Sequence, residues 1–324
     1  MKKNIAIIMG GYSSEINISI KSGNVVYNHL NKEKYHSYRV LILKEKWVVL
    51  DANNNEYSID KNDFSFILED KKIKFDCVFN AIHGAPGENG MLLAYFNLIN
   101  LKHTSAPFYQ MALTFNKRDT LSVVKEYGVK TAISIYLNEG DKIDVDKIIT
   151  KVGLPCFIKP NNAGSSYGIS KAHTKEDIIP ALEKAYKEDS EILIESFLDG
   201  PEVSVGVIQY QGETIVLPIT EIVTENDFFD YEAKYEGKSE EITPARISSE
   251  EKKKIETIAK KVYSILNMSG FSRSEYILVK GEPHFLEMNT VPGLTEESIL
   301  PQQAKEAGIS LEELFDNAIE TALG

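Results

Sequence analysis

The chain has 324 residues, of which 43% are hydrophobic, 10% aromatic and 26% charged. That is long enough for two or three domains and apolar enough to fold throughout, which excludes both a small stapled core and a disordered chain. The 36 basic and 48 acidic residues leave a formal charge of −12, which argues against the broad basic footprint of a nucleic-acid binder and leaves room for a local basic pocket.

Taken in chain order, Met1-Lys2-Lys3-Asn4 is followed by only five apolar residues, too few for a signal segment, and no apolar run approaches the ~18 residues of a membrane span. Neither export nor a membrane partner is expected. The run 5–9 predicts a strand that stops at Gly10-Gly11, and the apolar spacing over 14–30 predicts a helix. Buried-strand signatures recur at 38–43 and 77–81, the second leading through the glycine-rich 83–90 into a helix over 91–98. These elements predict an N-terminal α/β lobe over 1–102 with a parallel sheet. Cys77 and Cys156 lie inside apolar runs, so buried, reduced thiols and a cytoplasmic location are expected.

A second unit, 103–188, is expected to hold helices around 109–127, strands at 132–136 and 156–159, a glycine loop and a helix over 176–187. A third, 189–324, begins with strands at 192–195, 202–210 and 214–217. The polar stretch 224–241 has no period and carries Phe228, Phe229, Lys234 and Tyr235, which suits a lid that excludes water or a loop pinned by its aromatics. An amphipathic helix over 249–266, strands at 271–279 and 284–289 and two short helices complete an α/β (α+β) chain.

The two last strands carry the most chemistry. In an unbulged hairpin centred on Gly281, Glu275 faces Glu287 and Arg273 faces Asn289, and alternation places all four on one face. Opposed carboxylates repel unless a cation sits between them, and Glu, Glu and Asn suit Mg²⁺ shared with phosphate oxygens. A solvated hairpin face with incidental charges is the alternative, and the residues alone leave both open. Lys159 ends an apolar strand and is followed by 160–168, a small-residue loop that matches neither a Walker A nor a GxGxxG pattern but lets backbone N–H groups approach an anion. Glu195 and Glu202 flank a turn containing Phe197 and Leu198, which fits adenine and ribose or merely exposed strand ends. At the first glycine turn the exposed N–H groups favour an anion, while Glu15 is either a first-turn acid or a grip for an ammonium. His83, and Ser13 or Ser14 as helix caps, share that ambiguity.

Gly-Gly-x-Ser-x-Glu at 10–15, His-Gly-x-x-Gly-Glu-x-Gly at 83–90, Lys-Pro at 159–160 with Gly-Ser-Ser-x-Gly at 164–168, Gly-Pro-Glu at 200–202, Asp-Tyr-Glu-Ala-Lys-Tyr at 230–235 and Leu-Glu-x-Asn-Thr-x-Pro-Gly at 286–293 occur in order. Over essentially its whole length the chain thus resembles the D-alanine:D-alanine ligases of the ATP-grasp superfamily. The resemblance implies a three-domain ATP-grasp fold, a cytoplasmic homodimer formed through the N-terminal lobe, and ATP-dependent joining of two D-alanine molecules for cell-wall precursor synthesis through an acyl phosphate. By the same resemblance Lys117, Lys159 and Lys234 contact ATP phosphates, Glu195 and Leu198 flank adenine and Glu202 holds ribose. Glu275, Glu287 and Asn289 bind two Mg²⁺, for which Mn²⁺ could substitute. Glu15, with Ser165 and Tyr235, holds the first D-alanine; His83, Ser298 and Ile299 line the substrate site; Arg273 and the Gly293 amide face the oxyanion.

Departures from the family pattern are Glu275 for the usual Asp, Phe229 for a frequent Tyr, Phe115-Asn116-Lys117 for Met-Asp-Lys, and Ser274 for a small aliphatic residue. None removes a charge from the phosphate or metal positions. A D-lactate or D-serine acceptor is the nearest rival; related D-lactate enzymes often carry His where Tyr235 stands, so the tyrosine favours D-alanine. A non-catalytic nucleotide-binding regulator would predict loss of Lys159, Arg273 or the metal acids, and all are present.

Overall fold

In a computed structural model the described residues are 2–162, 164, 167–224 and 239–324. The apolar run at the start of the chain becomes the strand Lys3–Gly10, buried from Ile5 onward. Parallel pairing with Tyr35–Ile42 on one side and Cys77–Asn80 on the other makes it central to a six-stranded sheet. Lys102–His103 extends the parallel part. The opposite edge, Trp47–Leu50 and Glu56–Ser58, is antiparallel, so the sheet is mixed where a parallel one was expected. Both edge strands follow short turns, which permit only antiparallel return. The strand order reverses at Lys3–Gly10, and the crevice beyond its C-terminal end is where open α/β sheets gather ligands.

A second, antiparallel sheet runs Ser170–Ala172, Cys156–Pro160, Glu191–Ser196, Ser134–Asn138. One face is covered by helices Val145–Val152 and Ile178–Ala185. The helices expected around 109–127 are Phe108–Phe115 and Lys117–Glu126. They break at Asn116, whose backbone is extended and whose side chain accepts the Asp119 N–H as an N-cap.

The third sheet runs Ser239–Ile242, Thr220–Thr224, Glu202–Tyr210, Phe271–Val279, Glu282–Asn289, with Glu213–Val216 paired to Glu202–Tyr210. Helix Ser249–Ile265 buries Ile255, Ala259, Val262 and Tyr263 against it, and a Ser248/Glu251 capping box closes its start. The segment 224–241 was expected to be wholly lid; its ends are strand, Thr224 pairing with Ser239 and Val223 with Glu240. Polar strands at a sheet edge lack the apolar alternation that signals a strand, which hides them in the sequence. The terminal helix Leu311–Leu323 returns to the first sheet, where Phe315 meets Phe79 edge-on at 5.6 Å between ring centres. No helix of the described residues is long and apolar enough to cross a membrane.

Both thiols are free and buried. Burial pushes Cys77 up to about 12 and raises Cys156 as well, so burial disfavours the reactive thiolate at both and shields both from reagents. A chromogenic disulfide reagent at pH 8 should titrate neither thiol in the native protein and both after denaturation; prompt reaction of a native thiol would contradict this packing.

Candidate active site

Period-2 alternation decides what the second sheet offers its open face. Cys156, Ile158, Ile192 and Ile194 join the core under the helices, while Phe157, Lys159 and Glu195 line a cavity of ≈ 430 Å³. Lys159 Nζ donates to Glu195 Oε2 at 2.8 Å and stands 5.4 Å from the Phe157 ring centre. Burial works against the Lys159 charge, but Glu195, with Glu287 and Glu202 behind it, raises its pKa above the ordinary value. Glu195 is itself only 2% exposed, and its Oε1 has no hydrogen-bond partner among the described residues. The idea of an exposed strand-end acid is thereby excluded.

The third sheet forms the facing wall. Glu202 pairs with Ile277, Ser204 with Glu275 and Gly206 with Arg273, and across the next ladder Glu275 pairs with Glu287 and Arg273 with Asn289. The opposed carboxylates are those expected, but the hairpin is not unbulged. Lys280 and Gly281, at φ 51° and 76°, make a two-residue turn, and the pairs beside it are Val279–Glu282 through Tyr276–Phe285. That register alone would set Glu275 opposite Leu286 and turn Glu287 to the other side. An irregularity between Glu275 and Tyr276 absorbs Leu286 as an extra residue, and both Leu286 and Glu287 then line the cavity.

Charges alternate along this face. Lys117, at the start of helix Lys117–Glu126, places Nζ 3.1 Å from Glu287 Oε2. Arg273 Nη1 donates to Glu275 Oε1 at 2.5 Å and to Ser204 Oγ at 2.9 Å, and Asn289 Nδ2 donates to the same Glu275 oxygen at 3.4 Å. Burial opposes the Arg273 charge, but Glu275, then Glu287 and Glu241, hold its pKa above the usual value. The extra methylene of Glu275 lets its carboxylate fold back onto Arg273 two residues away. Among the described residues no three or more His, Cys, Asp or Glu side chains converge as a ready cage. Two carboxylates and an amide oxygen do fit a hard divalent cation that takes its other ligands from phosphate and water.

Beyond Arg273 and Asn289 lies a second cavity of ≈ 330 Å³. Glu15, His83, Gly293, Ser298 and Ile299 line it with them. The glycine turn does not present its N–H groups to this space: Gly11 N–H donates to Ile42 O at 2.8 Å and Tyr12 N–H to Ala85 O at 2.7 Å. Ser13 Oγ accepts the Glu15 N–H at 3.3 Å and donates to His83 O at 3.2 Å, a local fastening role, whereas Ser14 is exposed. Glu15 occupies the N-cap position of helix Ile16–His29 without capping it, leaving its carboxylate toward the cavity. His83 is 5% exposed and bridges Val291 O, 2.6 Å from Nδ1, and Ser22 Oγ, 3.0 Å from Nε2. Ser298 Oγ shares a 2.8 Å hydrogen bond with Thr295 Oγ1.

The structure thus brings Lys117, Lys159, Glu195, Leu198, Glu202, Glu275 and Glu287 to one cavity. Glu15, His83, Arg273, Asn289, Gly293, Ser298 and Ile299 line its neighbour. Ser165, Lys234, Tyr235 and the lid interior lie outside the described residues. Three wall residues were given no role by the sequence. Phe157 read as core, and Lys171, whose Nζ is 4.6 Å from the Phe197 ring centre, is one lysine among many. Glu88 was visible in the motif 83–90 but had no assigned role. Its Oε2 accepts the Gly84 N–H at 3.1 Å, and its Oε1 accepts the N–H groups of Thr290 at 3.0 Å and Val291 at 3.2 Å. Burial, then Glu15, pushes its pKa up.

Comparison with known proteins decides the family. A model described as the D-ala D-ala ligase N-terminus matches residues 4–106, and one described as the D-ala D-ala ligase C-terminus matches 123–320. The D-alanine--D-alanine ligase of Flavobacterium johnsoniae is 66% identical over 321 residues, covering 99% of each chain. This chain belongs to the D-alanine–D-alanine ligase family. A D-Ala:D-Ser ligase structure from Enterococcus faecalis superposes with a TM-score of 0.88 at 30% identity, covering 99% of both chains. The Bacillus anthracis D-alanine--D-alanine ligase, solved in complex with ATP, gives 0.79 at 27% identity over 99% of this chain and 97% of that one. As a member of the ligase family, with the ATP-grasp architecture of its structural neighbours, the chain is an ATP-dependent ligase that forms D-alanyl-D-alanine.

A Cβ at Gly293 would lie 2.6 Å from Ser298 Oγ and 3.1 Å from Ser298 Cβ. Gly293→Ala should therefore push Ser298 off its place, a strain of about 1–3 kcal/mol, and lower kcat/KM for D-alanine roughly ten- to a hundredfold. Steady-state kinetics with D-alanine varied at saturating ATP checks this, and an unaffected enzyme would show that the loop yields freely.

Proposed function

We propose that the first cavity holds ATP and the second holds the two D-alanines, with the hairpin face as the wall they share. One observation carries this reading: neighbouring pairs on one strand ladder open to different spaces, Glu275 and Glu287 to the first and Arg273 and Asn289 to the second. The γ-phosphate and the carboxylate that attacks it can then meet at the boundary without either leaving its site.

Lys117 and Lys159, with Lys234, face the triphosphate, while Glu195 and Leu198 receive adenine and Glu202 the ribose. The acids that now hold the two described lysines keep their long side chains aimed into the cavity, so little rotamer entropy is lost when phosphate takes over. Glu275, Glu287 and Asn289 would hold two Mg²⁺, or Mn²⁺ in their place, which would neutralise phosphate charge when bound. Glu15, with Ser165 and Tyr235, holds the first D-alanine by its ammonium. Its carboxylate oxygen attacks the γ-phosphorus, the bond to the β-phosphate bridging oxygen breaks, and ADP and an acyl phosphate result. The second D-alanine lies between His83 and the start of helix Ile299–Glu306, its carboxylate at Ser298 and Ile299. Its deprotonated amine attacks the acyl carbon, Arg273 and the Gly293 N–H stabilise the oxyanion, and the C–O bond to phosphate breaks as the nitrogen gives its extra proton to the departing inorganic phosphate, leaving the neutral amide. Water exclusion by the lid protects the acyl phosphate.

The division at 1–102, 103–188 and 189–324 supports this reading in outline, the first part bringing Glu15 and His83, the second Lys117 and Lys159 and the third the hairpin face; Glu191–Ser196, although placed in the third part, pairs within the second sheet. A cytoplasmic homodimer formed through the N-terminal lobe fits too. Met91 and Leu98, seven residues apart on helix Met91–Leu98, are 69% and 83% exposed on that lobe. Light scattering should give twice the 36.4 kDa chain mass, and Met91→Glu with Leu98→Glu should return the monomer.

Mass spectrometry of the product from ATP, Mg²⁺ and D-alanine should show D-alanyl-D-alanine with ADP in equal amount. With equimolar D-lactate or D-serine added, the D-alanine dipeptide should remain the main product; a dominant mixed product would reassign the acceptor. Glu287→Gln should lower kcat by at least about a hundredfold while the thermal transition stays within a few degrees. Full turnover in that variant would remove the hairpin from the chemistry.

A further inference from the structure

The two described lysines of the nucleotide cavity arrive on separate elements, Lys159 on the strand Cys156–Pro160 and Lys117 on the first turn of helix Lys117–Glu126. A triphosphate senses their separation, so something must fix it. Asn161, two residues beyond Lys159 and 1% exposed, bonds to that helix twice directly and once through Glu191. Its backbone O accepts the Lys117 N–H at 3.3 Å, and its Oδ1 accepts the Arg118 N–H at 2.8 Å. Its Nδ2 donates to Glu191 Oε2 at 2.7 Å, and the other Glu191 oxygen accepts from Arg118 Nη2 at 2.7 Å. Asn161 N–H, in turn, donates to Glu191 O at 2.9 Å.

The first N–H groups of a helix are ordinarily free to bind an anion. Here Asn161 takes those of Lys117 and Arg118, and Asn116 takes that of Asp119. This helix start therefore offers phosphate a lysine side chain, and its backbone serves as an anchor. We infer that Asn161, held by Glu191, is a positioning residue that fixes the spacing of Lys117 and Lys159 for the triphosphate. The inference rests on the reading of the first cavity as the ATP site.

Asn161→Asp keeps the shape and the acceptor for the Arg118 N–H but sets a second carboxylate against Glu191. The full-length variant should show KM for ATP raised about tenfold or more, with KM for D-alanine within about twofold of the wild type. Adding Glu191→Gln lets an amide donate to the new carboxylate, reversing the polarity of the bond, and should bring KM for ATP back to within about threefold. A loss of fold stability alone would not move one KM without the other or be repaired in this way. Unchanged KM for ATP in Asn161→Asp, equal rises in both KM values, or no rescue in the double variant overturns the inference. Should Asn161→Asp not fold, Glu191→Gln alone is read by the same split, and an unchanged KM for ATP again overturns it. The wild type is the separate control: if it forms no ADP from ATP and D-alanine, the nucleotide reading falls and takes the inference with it, whereas an active wild type beside unaffected variants removes the inference only.

Discussion

Two carboxylates that point at each other across a strand ladder are the constraint on which the rest of this molecule depends. Glu275 and Glu287 would repel if left alone, and the fold surrounds them with cations drawn from different elements. Lys117 comes from the start of a helix, Arg273 from the same strand, and Lys159 from the opposite sheet. Each cation is itself buried enough that it needs an anion. The acids therefore favour the charge of the buried bases, and the bases offset the repulsion between the acids. This mutual dependence keeps the cavity wall ready for a ligand that carries both signs, a polyphosphate with its metal.

The bulge at Leu286 is the local device that makes the constraint possible. A two-residue turn is the tightest way to join two strands, but it sets the wrong register for the carboxylates. Taking up one extra residue between Tyr276 and Glu275 corrects the register just where the chemistry begins and leaves the apolar part of the hairpin regular. Tyr276 and Phe285, fully buried and edge to face at 5.7 Å between ring centres, anchor the regular part. Precise placement of the acidic pair is thus borrowed from an aromatic pair next to it.

Much of this was legible in the sequence because the central strands are apolar runs and their ends are punctuated by glycine. Strands Glu202–Tyr210 and Phe271–Val279 and helix Met91–Leu98 have the limits that periodicity predicts. The facing of Glu275 and Glu287 was legible too, although for the wrong reason, since counting back from Gly281 ignores both the true turn and the bulge. Ser239–Ile242 was hidden by its polar composition. Contacts made by backbone groups left least trace. Nothing in the residue types says that Glu88 accepts the Thr290 and Val291 N–H groups, or that Asn161 faces the start of a helix, because such bonds depend on where two distant loops come to rest.

The C-terminal helix has a consequence for how this chain is made. Leu314, Phe315, Ala318 and Ile319 share one core with Ile5, Ile7, Met9 and Phe79, and Lys34 reaches across to Asp316 and Glu320. The opening sheet consequently lacks one of its covering layers until the far end of the polypeptide has left the ribosome. During synthesis its apolar face stays open while the middle of the chain emerges, and a nascent chain stalled before residue 311 would display that face to chaperones and proteases.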